Sequence, residues 1–426
     1  MTFAVVVAFF GLSALGIPIA FGLGLSAIVG LWVGDLPFSI LATKVQNSVD
    51  SFPFMAIPFF MLAGELMVLS GIMERLITFA NTLVGHFRGG LAQVTILSGY
   101  GMATVSGTAV ADAAALGSAL GRPMGRIYGV PFSSAIVAAS ANLGPIIPPS
   151  TPMIIYATLA GPDVSIAKLF AGGIIPGTII AVSMMICVGY IARRRGWGPT
   201  NSGFSVAQIV RELRRALIVL GMPVVVIGGI VGGAFTATEG GAIAVSYAFL
   251  VGIFVTRSLR LRDIPGALQR AVVTTAVVGA LIAFASTVTY LFTIEEVPRY
   301  LGQWMLSVTS DPTTFLLYVF VGLVIVGMFI EPTSAYIMLV PVFAPLVSLY
   351  GLDPIHFAVL FVLNLVVGML TPPVGTLLFV MCSVSGITIA QLWREVWPFV
   401  LIQFATILLC LFFPPLITWL PSLIVH

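Results

Sequence analysis

Long stretches without a single ionisable side chain limit what this chain can fold into. Asp, Glu, Lys, Arg and His are all missing from residues 1–34, 169–192, 216–238, 271–294 and 396–425. A helix that crosses a bilayer needs roughly 20 apolar residues. Charged residues make up 8% of the chain, against about a quarter in soluble domains. Backbone groups in lipid must be hydrogen-bonded within their own segment, so the sequence predicts an all-α polytopic membrane protein.

The remaining composition excludes several other classes of protein. Residues 1–34 lack a basic start and a small-residue cleavage site, so we expect a retained span and not a signal peptide. The three cysteines lie in apolar runs without ligand spacing, which predicts neither disulfides nor a metal centre. No stretch is long and polar enough to form a soluble domain. We therefore expect another chain to capture any substrate outside the cytoplasm.

A shift of 224 residues aligns distant parts of the chain. It places residues 144–149 (GPIIPP) on residues 368–373 (GMLTPP), Phe60 on Phe284, and Arg75 on Arg299. Residues 165–170 match residues 388–393 with a slip of one position. Identity is low, but the conserved order and spacing of the matches predict a duplicated unit.

The repeat predicts three parts of the chain. The first repeat is residues 1–192, with a re-entrant hairpin at 91–121 and a proline-broken helix at 131–160. A basic cytoplasmic linker and a connecting span follow at 193–235. The second repeat is residues 236–426, with a hairpin at 313–345 and a broken helix at 355–384. If each unit crosses the membrane an even number of times, the connecting span turns the second unit upside down. The prediction is therefore two inverted-topology repeats, as in many secondary transporters.

The distribution of basic residues supports one orientation of these repeats. With the N-terminus in the cytoplasm, 15 of the 18 basic residues lie inside, and Lys44, Lys168 and Arg299 lie outside. Lys and Arg are enriched on the cytoplasmic side of membrane proteins. We interpret the basic stretch 193–215 as a contact with lipid headgroups and not with nucleic acid. We expect the chain to cross its membrane many times.

The two proline-rich breaks are the first candidate binding sites. Proline removes a backbone donor and clashes with the preceding turn. Helix ends at such breaks expose carbonyl groups that suit a hard cation, and N–H groups that suit a carboxylate. Hydroxyl groups at Ser150, Thr151, Thr371 and Thr376 stand where they could add ligands. The alternative is that the prolines only kink the helices, but their repetition favours a site.

The hairpin tips carry carboxylates at membrane depth. Asp112 follows a small, polar tip at residues 106–111, and Glu331 precedes Pro332. Carboxylates within the membrane commonly bind cations or carry protons. Both could instead cap helices, an interpretation that we leave open for Asp112 and favour for Glu331. Glu65 could simply pair with a neighbouring helix.

The motifs, taken in order, resemble the large permease subunit of TRAP transporters (tripartite ATP-independent periplasmic transporters). The resemblance extends over almost the whole chain. Its clearest motifs are AIPFFMLAGELM at 56–67, GHFRGGL at 85–91, SGTAVAD at 106–112, IPPS at 147–150, GIIPG at 173–177, EPT at 331–333 and TPPVG at 371–375.

The resemblance implies a mechanism and partners that spacing alone does not. A periplasmic substrate-binding protein would deliver an organic anion, and a separate four-span small subunit would support this chain. A transport domain would slide against a scaffold, as in an elevator, driven by Na⁺ as the coupling ion and not by ATP. The resemblance also implies the bacterial inner membrane as the location. By analogy, a first sodium site would use Ser106, Asp112 and Gly144, and a second would use Gly327, Gly368 and Thr371. Thr108 stands where the family usually has serine, which keeps the hydroxyl.

We assign substrate contacts to hydroxyl groups at the breaks and at the second tip: Ser150, Thr151, Thr333, Ser334 and Thr376. We expect no organic cofactor and no enzymatic activity. The substrate class stays open among dicarboxylates, sialic acid and other sugar acids. The main alternative is an anion/sodium symporter that works alone with the same architecture. An intramembrane enzyme would need a convergent nucleophile and base, and a passive channel would not explain paired proline breaks.

Overall fold

The chain folds into helices throughout the part that the structure describes. The computed structural model describes residues 1–161, 163–200 and 206–424. The helices of the first part are α1 (Thr2–Ala14), α2 (Ile19–Val33), α3 (Ser39–Val49), α4 (Ala56–Leu69), α5 (Ile72–Val84), α6 (Gly90–Ser106), α7 (Ala109–Tyr128), α8 (Val130–Ala141), α9 (Thr151–Ala160) and α10 (Ile166–Arg195). Those of the second part are α11 (Val206–Val231), α12 (Ala237–Leu250), α13 (Ile264–Ile294), α14 (Val297–Val308), α15 (Pro312–Phe329), α16 (Pro332–Leu349), α17 (Pro354–Gly368), α18 (Thr376–Ser385), α19 (Ile389–Phe412) and α20 (Pro415–Ser422).

The long apolar helices confirm the all-α polytopic membrane fold. Within the described residues, six helical segments are long and apolar enough to cross a bilayer. Two bent pairs raise this number to as many as eight: α4 with α5, bent by 70°, and the two halves of α11, bent by 58°.

The prediction of one span across the first 33 residues was wrong. Residues 1–33 instead form α1 and α2, of 13 and 15 residues, separated by a turn in which Gly16 adopts φ +80°. The two helices run antiparallel, since Gly22 lies beside Phe9 whereas Gly30 lies beside Val5. At 1.5 Å per residue each is too short to cross a roughly 30 Å hydrocarbon core alone. A long apolar run is compatible with both arrangements, so hydropathy did not separate them.

Two hairpins and two interrupted helices form the centre of the fold. We call α6 with α7 the first hairpin and α15 with α16 the second. We call residues 142–150, between α8 and α9, the first break, and residues 369–375, between α17 and α18, the second. The first hairpin extends to Tyr128, seven residues beyond the predicted end at 121. The division into two inverted repeats stays a prediction.

The helices that precede the breaks lie deepest in the protein. Residues 132–141 of α8 and 355–368 of α17 are all buried. A helix that is apolar on all sides belongs in a protein interior or a membrane. Here α8 packs against α6, α7 and α19, and α17 packs against α15. The two breaks are therefore held inside the protein, where their free backbone groups can face a ligand and not lipid.

Candidate functional site

The tip of the first hairpin holds a buried carboxylate. α6 ends at Ser106, Gly107 turns the chain with φ +64°, and α7 begins after Thr108. The Ser106 hydroxyl donates a hydrogen bond of 2.5 Å to Oδ1 of Asp112, a side chain with no exposed surface. Oδ2 of Asp112 is buried and has no hydrogen-bond partner among the described residues. Because a buried charge without a partner is costly, this oxygen is a strong candidate ligand for a cation.

Asp112 does not cap a helix, so the capping alternative for this residue was wrong. The residue before α7 is Thr108, and no side chain caps that helix end. The capping alternative for Glu331 is confirmed, because its carboxylate accepts a hydrogen bond of 3.1 Å from the Ser334 amide at the start of α16. Glu65 pairs with Arg270 of α13 at 2.7 Å, which confirms its pairing with a neighbouring helix.

The first break lies directly against the tip of the first hairpin. A Cβ added to Gly144 would lie 2.7 Å from Asp112 Oδ2 and 3.0 Å from the Thr108 carbonyl oxygen. A Cβ added to Gly107 would lie 2.5 Å from the Pro149 carbonyl oxygen. Only glycine allows contacts this close between two backbones. The tip and the break therefore form one cradle of oxygen atoms, the ligand type that hard cations prefer.

The second hairpin and the second break make a similar contact. A Cβ added to Gly368 would lie 2.5–2.6 Å from backbone atoms of Gly327. The amide of Val374 donates a hydrogen bond of 3.2 Å to the Met328 carbonyl, which joins the loop of the break to the end of α15. The buried Thr371 hydroxyl donates to the Val367 carbonyl at 3.0 Å. The three residues assigned to the second sodium site thus lie around one backbone contact.

A central cavity of about 420 Å³ connects these parts. Both hairpin tips and the residues next to both breaks line it, and so do α4 and α13. Its lining includes Glu65, Ser106, Thr108, Pro145, Thr151, Thr274, Glu331, Thr333, Val366 and Met369. Helices α9 and α16 begin at this cavity. Helix N-termini carry the positive ends of the helix dipoles, which favour anionic groups nearby.

The predicted substrate contacts divide into two groups. Thr151 and Thr333 line the cavity. Ser150 is fully buried, donates to the Pro145 carbonyl and caps α9, so its hydroxyl is already engaged in the break. Ser334 is buried behind Glu331, and the Thr376 hydroxyl is buried without a hydrogen-bond partner among the described residues. Ser150, Ser334 and Thr376 do not line the cavity.

Sequence reasoning missed two polar residues next to the breaks. Asn142 and Gln403 are both fully buried, and their side-chain amides bond to each other at 2.8 Å. They are 261 residues apart in the chain, so spacing gave no signal of the contact. An amide in an apolar segment, such as Asn142 at the end of α8, is the signal that could have been followed.

The sequence of this chain matches a known protein family. Residues 6–416 match the DctM component of tripartite ATP-independent periplasmic transporters. The chain belongs to this family. The match spans nearly the whole chain and confirms the resemblance stated from the motifs. The DctM family is a family of transporter components, and the chain is a polytopic membrane permease.

Several relatives of the DctM type are similar along most of this chain. A putative TRAP transporter large permease protein of Haemophilus influenzae is 38% identical over 409 residues, 96% of either chain. The C4-dicarboxylate TRAP transporter large permease protein of Pseudomonas aeruginosa is 35% identical, covering 90% of this chain and 89% of that protein. The isethionate TRAP transporter permease protein DctMQ of Oleidesulfovibrio alaskensis is 38% identical over 94% of this chain. This chain spans 63% of that longer relative.

A solved transporter shares the fold at low sequence identity. The Alcanivorax borkumensis YdaH transporter aligns with a TM-score of 0.62 at 15% identity, covering 88% of this chain and 87% of that one. At this identity the likeness concerns the fold alone. It agrees with the helical membrane architecture described above.

Proposed function

We propose that this chain is the large membrane subunit of a sodium-coupled importer of small organic anions in the bacterial inner membrane. The observation that carries the proposal is the Asp112 carboxylate, buried and half unpartnered where the first tip meets the first break. A cation between Asp112 Oδ2 and the Thr108 carbonyl would satisfy this charge. Sodium is a hard cation and fits an oxygen-only cradle of this kind.

The anion would bind in the central cavity between the two tips. Thr151 and Thr333 offer hydroxyl groups there, and the starts of α9 and α16 offer a positive potential. Glu65 and Glu331 also line the cavity and would repel an anion. Arg270 offsets the charge of Glu65, and bound sodium would offset that of Asp112. Thr108, whose carbonyl would share this sodium, lines the cavity, so the bound cation would favour an anion there, as symport requires.

The relatives support a carboxylate or sulfonate as the substrate. One is named for C4-dicarboxylates and another for isethionate. Both names describe small organic anions, so we propose this chemical class and no single compound. We also propose a periplasmic binding protein and a four-span small subunit as partners. The longer DctMQ relative supports the second, because residues beyond the shared part could supply that subunit.

An elevator built from two inverted repeats fits the order of the helices. The second hairpin, α17, α18 and α19 begin 222 to 225 residues after their counterparts in the first half. At one end, Arg195 of α10 pairs with Glu395 of α19 at 2.8 Å. This contact agrees with the proposed placement of both segments in the cytoplasm. We propose that the hairpins and broken helices move together, and that α4, α12 and α13 belong to the scaffold.

Reconstitution with and without partners tests the tripartite part of the proposal. The chain is placed in liposomes with an inward sodium gradient, and uptake of a radiolabelled C4-dicarboxylate, sialic acid or isethionate is followed. Adding the small subunit and the loaded binding protein is expected to raise uptake strongly at low substrate concentration. Comparable uptake by this chain alone would contradict the proposal and favour the stand-alone symporter.

A further inference from the structure

A buried amide joins the two halves of the proposed transport domain. Nδ2 of Asn142, at the end of α8, donates to the Val366 carbonyl of α17 at 3.2 Å and to Oε1 of Gln403 in α19 at 2.8 Å. All three residues have no exposed surface. Within the part of the chain that the structure describes, the Asn142–Val366 hydrogen bond joins the first break to α17.

The orientation of the Asn142 amide is fixed by its partners. The Val366 carbonyl can only accept a hydrogen bond, so Nδ2 must face it. Both Nδ2 hydrogens are then used, one for each acceptor. Oδ1 of Asn142 and Nε2 of Gln403 remain buried without hydrogen-bond partners among the described residues. Burying unsatisfied amide atoms is costly, which indicates that the pair does more than fill space.

The Asn142–Val366 bond joins two segments that each lead to one candidate cation site. Asn142 stands two residues before Gly144, which faces Asp112 Oδ2. Val366 stands two residues before Gly368, which contacts the Gly327 backbone. A displacement of either break is thus transmitted to the other through one hydrogen bond and a few backbone bonds.

The spacing of the two bonded residues places them on a symmetry axis. Asn142 and Val366 are 224 residues apart, the same shift that aligns the two halves of the sequence. A residue that contacts its own repeat counterpart lies on the pseudo-twofold axis relating the repeats. Gln403 breaks this symmetry, because with the slip of one position noted above the equivalent residue is Ile180.

We infer that Asn142 and Gln403 are positioning residues that couple the two cation sites across the pseudo-twofold axis. This inference rests on the proposed function, because it requires two sodium sites. Sodium at the first break fixes Gly144 and, through Asn142, the last turn of α17 that contributes to the second site. Each ion therefore raises the affinity for the other. Such coupling in proteins typically amounts to about 5- to 150-fold in affinity.

The test is a sodium titration of the full-length chain with its small subunit in lipid nanodiscs. Equilibrium binding of radioactive sodium is followed as sodium chloride replaces choline chloride at constant ionic strength. The wild type is expected to respond cooperatively, with a Hill coefficient above one. In Asn142→Leu, which removes the link and keeps the volume, we expect a coefficient near one. Its half-saturating sodium concentration should rise roughly fivefold, the low end of typical couplings.

Asn364→Leu is the matched control. Asn364 lies in α17 and, like Asn142, has a buried side-chain amide. Its Nδ2 donates within its own helix, to the Leu360 carbonyl at 2.9 Å. This variant should change the unfolding temperature measured in choline chloride, and its sodium binding should keep the cooperativity of the wild type. If Asn142 had a purely structural role, Asn142→Leu would also shift the unfolding temperature in choline chloride and keep wild-type sodium cooperativity.

Two outcomes separate this inference from the proposed function. If sodium cooperativity is the same in wild type and Asn142→Leu, the coupling is wrong and the sodium sites stand. If the wild type binds no sodium, both fail together. Should Asn142→Leu not fold, Gln403→Met removes one acceptor and leaves the Val366 bond. A smaller loss of cooperativity is then expected, and wild-type cooperativity would overturn the coupling.

Discussion

Asp112 and Gly144 face each other across the contact between the first hairpin and the first break. A Cβ on Gly144 would approach Asp112 Oδ2 to 2.7 Å. The space that a methyl group would fill is the space beside a buried, unpartnered carboxylate oxygen. A glycine at this position therefore leaves room for a ligand of that oxygen.

Gly144→Ala is expected to abolish the sodium response. The added methyl group clashes with both Asp112 Oδ2 and the Thr108 carbonyl, and such overpacking costs about 1–3 kcal/mol. Sodium-dependent thermal stabilisation should disappear and uptake should fall. Gly121→Ala in α7 is the control, because a Cβ there meets no atom within 4 Å. Unchanged half-saturating sodium in Gly144→Ala would argue against a cation at this contact.

Ser106→Ala and Asp112→Asn should weaken sodium binding in that order. Ser106→Ala removes the 2.5 Å hydrogen bond to Asp112 and one hydroxyl ligand. Asp112→Asn removes the negative charge as well, so its half-saturating sodium concentration should rise further, by roughly tenfold or more over wild type. The measurement is the sodium dependence of uptake at fixed substrate. The reverse order would place the ion away from the carboxylate.

Thr371→Ala tests the second sodium site. The Thr371 hydroxyl donates to the Val367 carbonyl one turn earlier, beside the Gly327–Gly368 contact. Thr406 makes the same kind of bond to Ile402 at 2.9 Å, is also buried, and lies in α19 away from the cavity lining. Thr371→Ala should raise the half-saturating sodium concentration severalfold, and Thr406→Ala should not. Equal effects of the two changes would remove Thr371 from the ligand set.

Residue type and order predicted much of this arrangement. The double prolines predicted interruptions at residues 145–149 and 372–373, and helices α8 and α17 end just before them. The glycine and serine at 106–107 likewise predicted the first tip. These features are local, because proline and glycine act on the backbone of their own segment. The same local rule explains why Glu331 followed by Pro332 was interpreted correctly as a helix cap.

Contacts between distant segments could not be predicted from the sequence. Nothing near Asn142 indicates that its amide meets Gln403, 261 residues later. The packing of α1 against α2 was missed for a related reason. An apolar run satisfies lipid and protein contacts equally well, so only the fold decides whether Phe9 meets Gly22 or a lipid chain.

Cysteine labelling tests the inverted topology. Single cysteines at Asp163 and Ser310, both exposed, are expected to react with a membrane-impermeant thiol reagent from the periplasmic side. Cysteines at the exposed Arg126 and Arg262 should react only after the membrane is opened. Each variant is made after Cys187, Cys382 and Cys410 are replaced by serine or alanine. Labelling of Asp163 and Ser310 from opposite sides would contradict the inverted repeats.

The central claim is that a sodium gradient drives uptake through this chain. Its rival is proton coupling through a buried carboxylate such as Asp112. The decisive measurement compares uptake by the complete transporter in proteoliposomes under an inward sodium gradient without a pH gradient, and under an inward proton gradient without sodium. We predict accumulation in the first condition and none in the second. Accumulation driven by the proton gradient in the absence of sodium would contradict the claim.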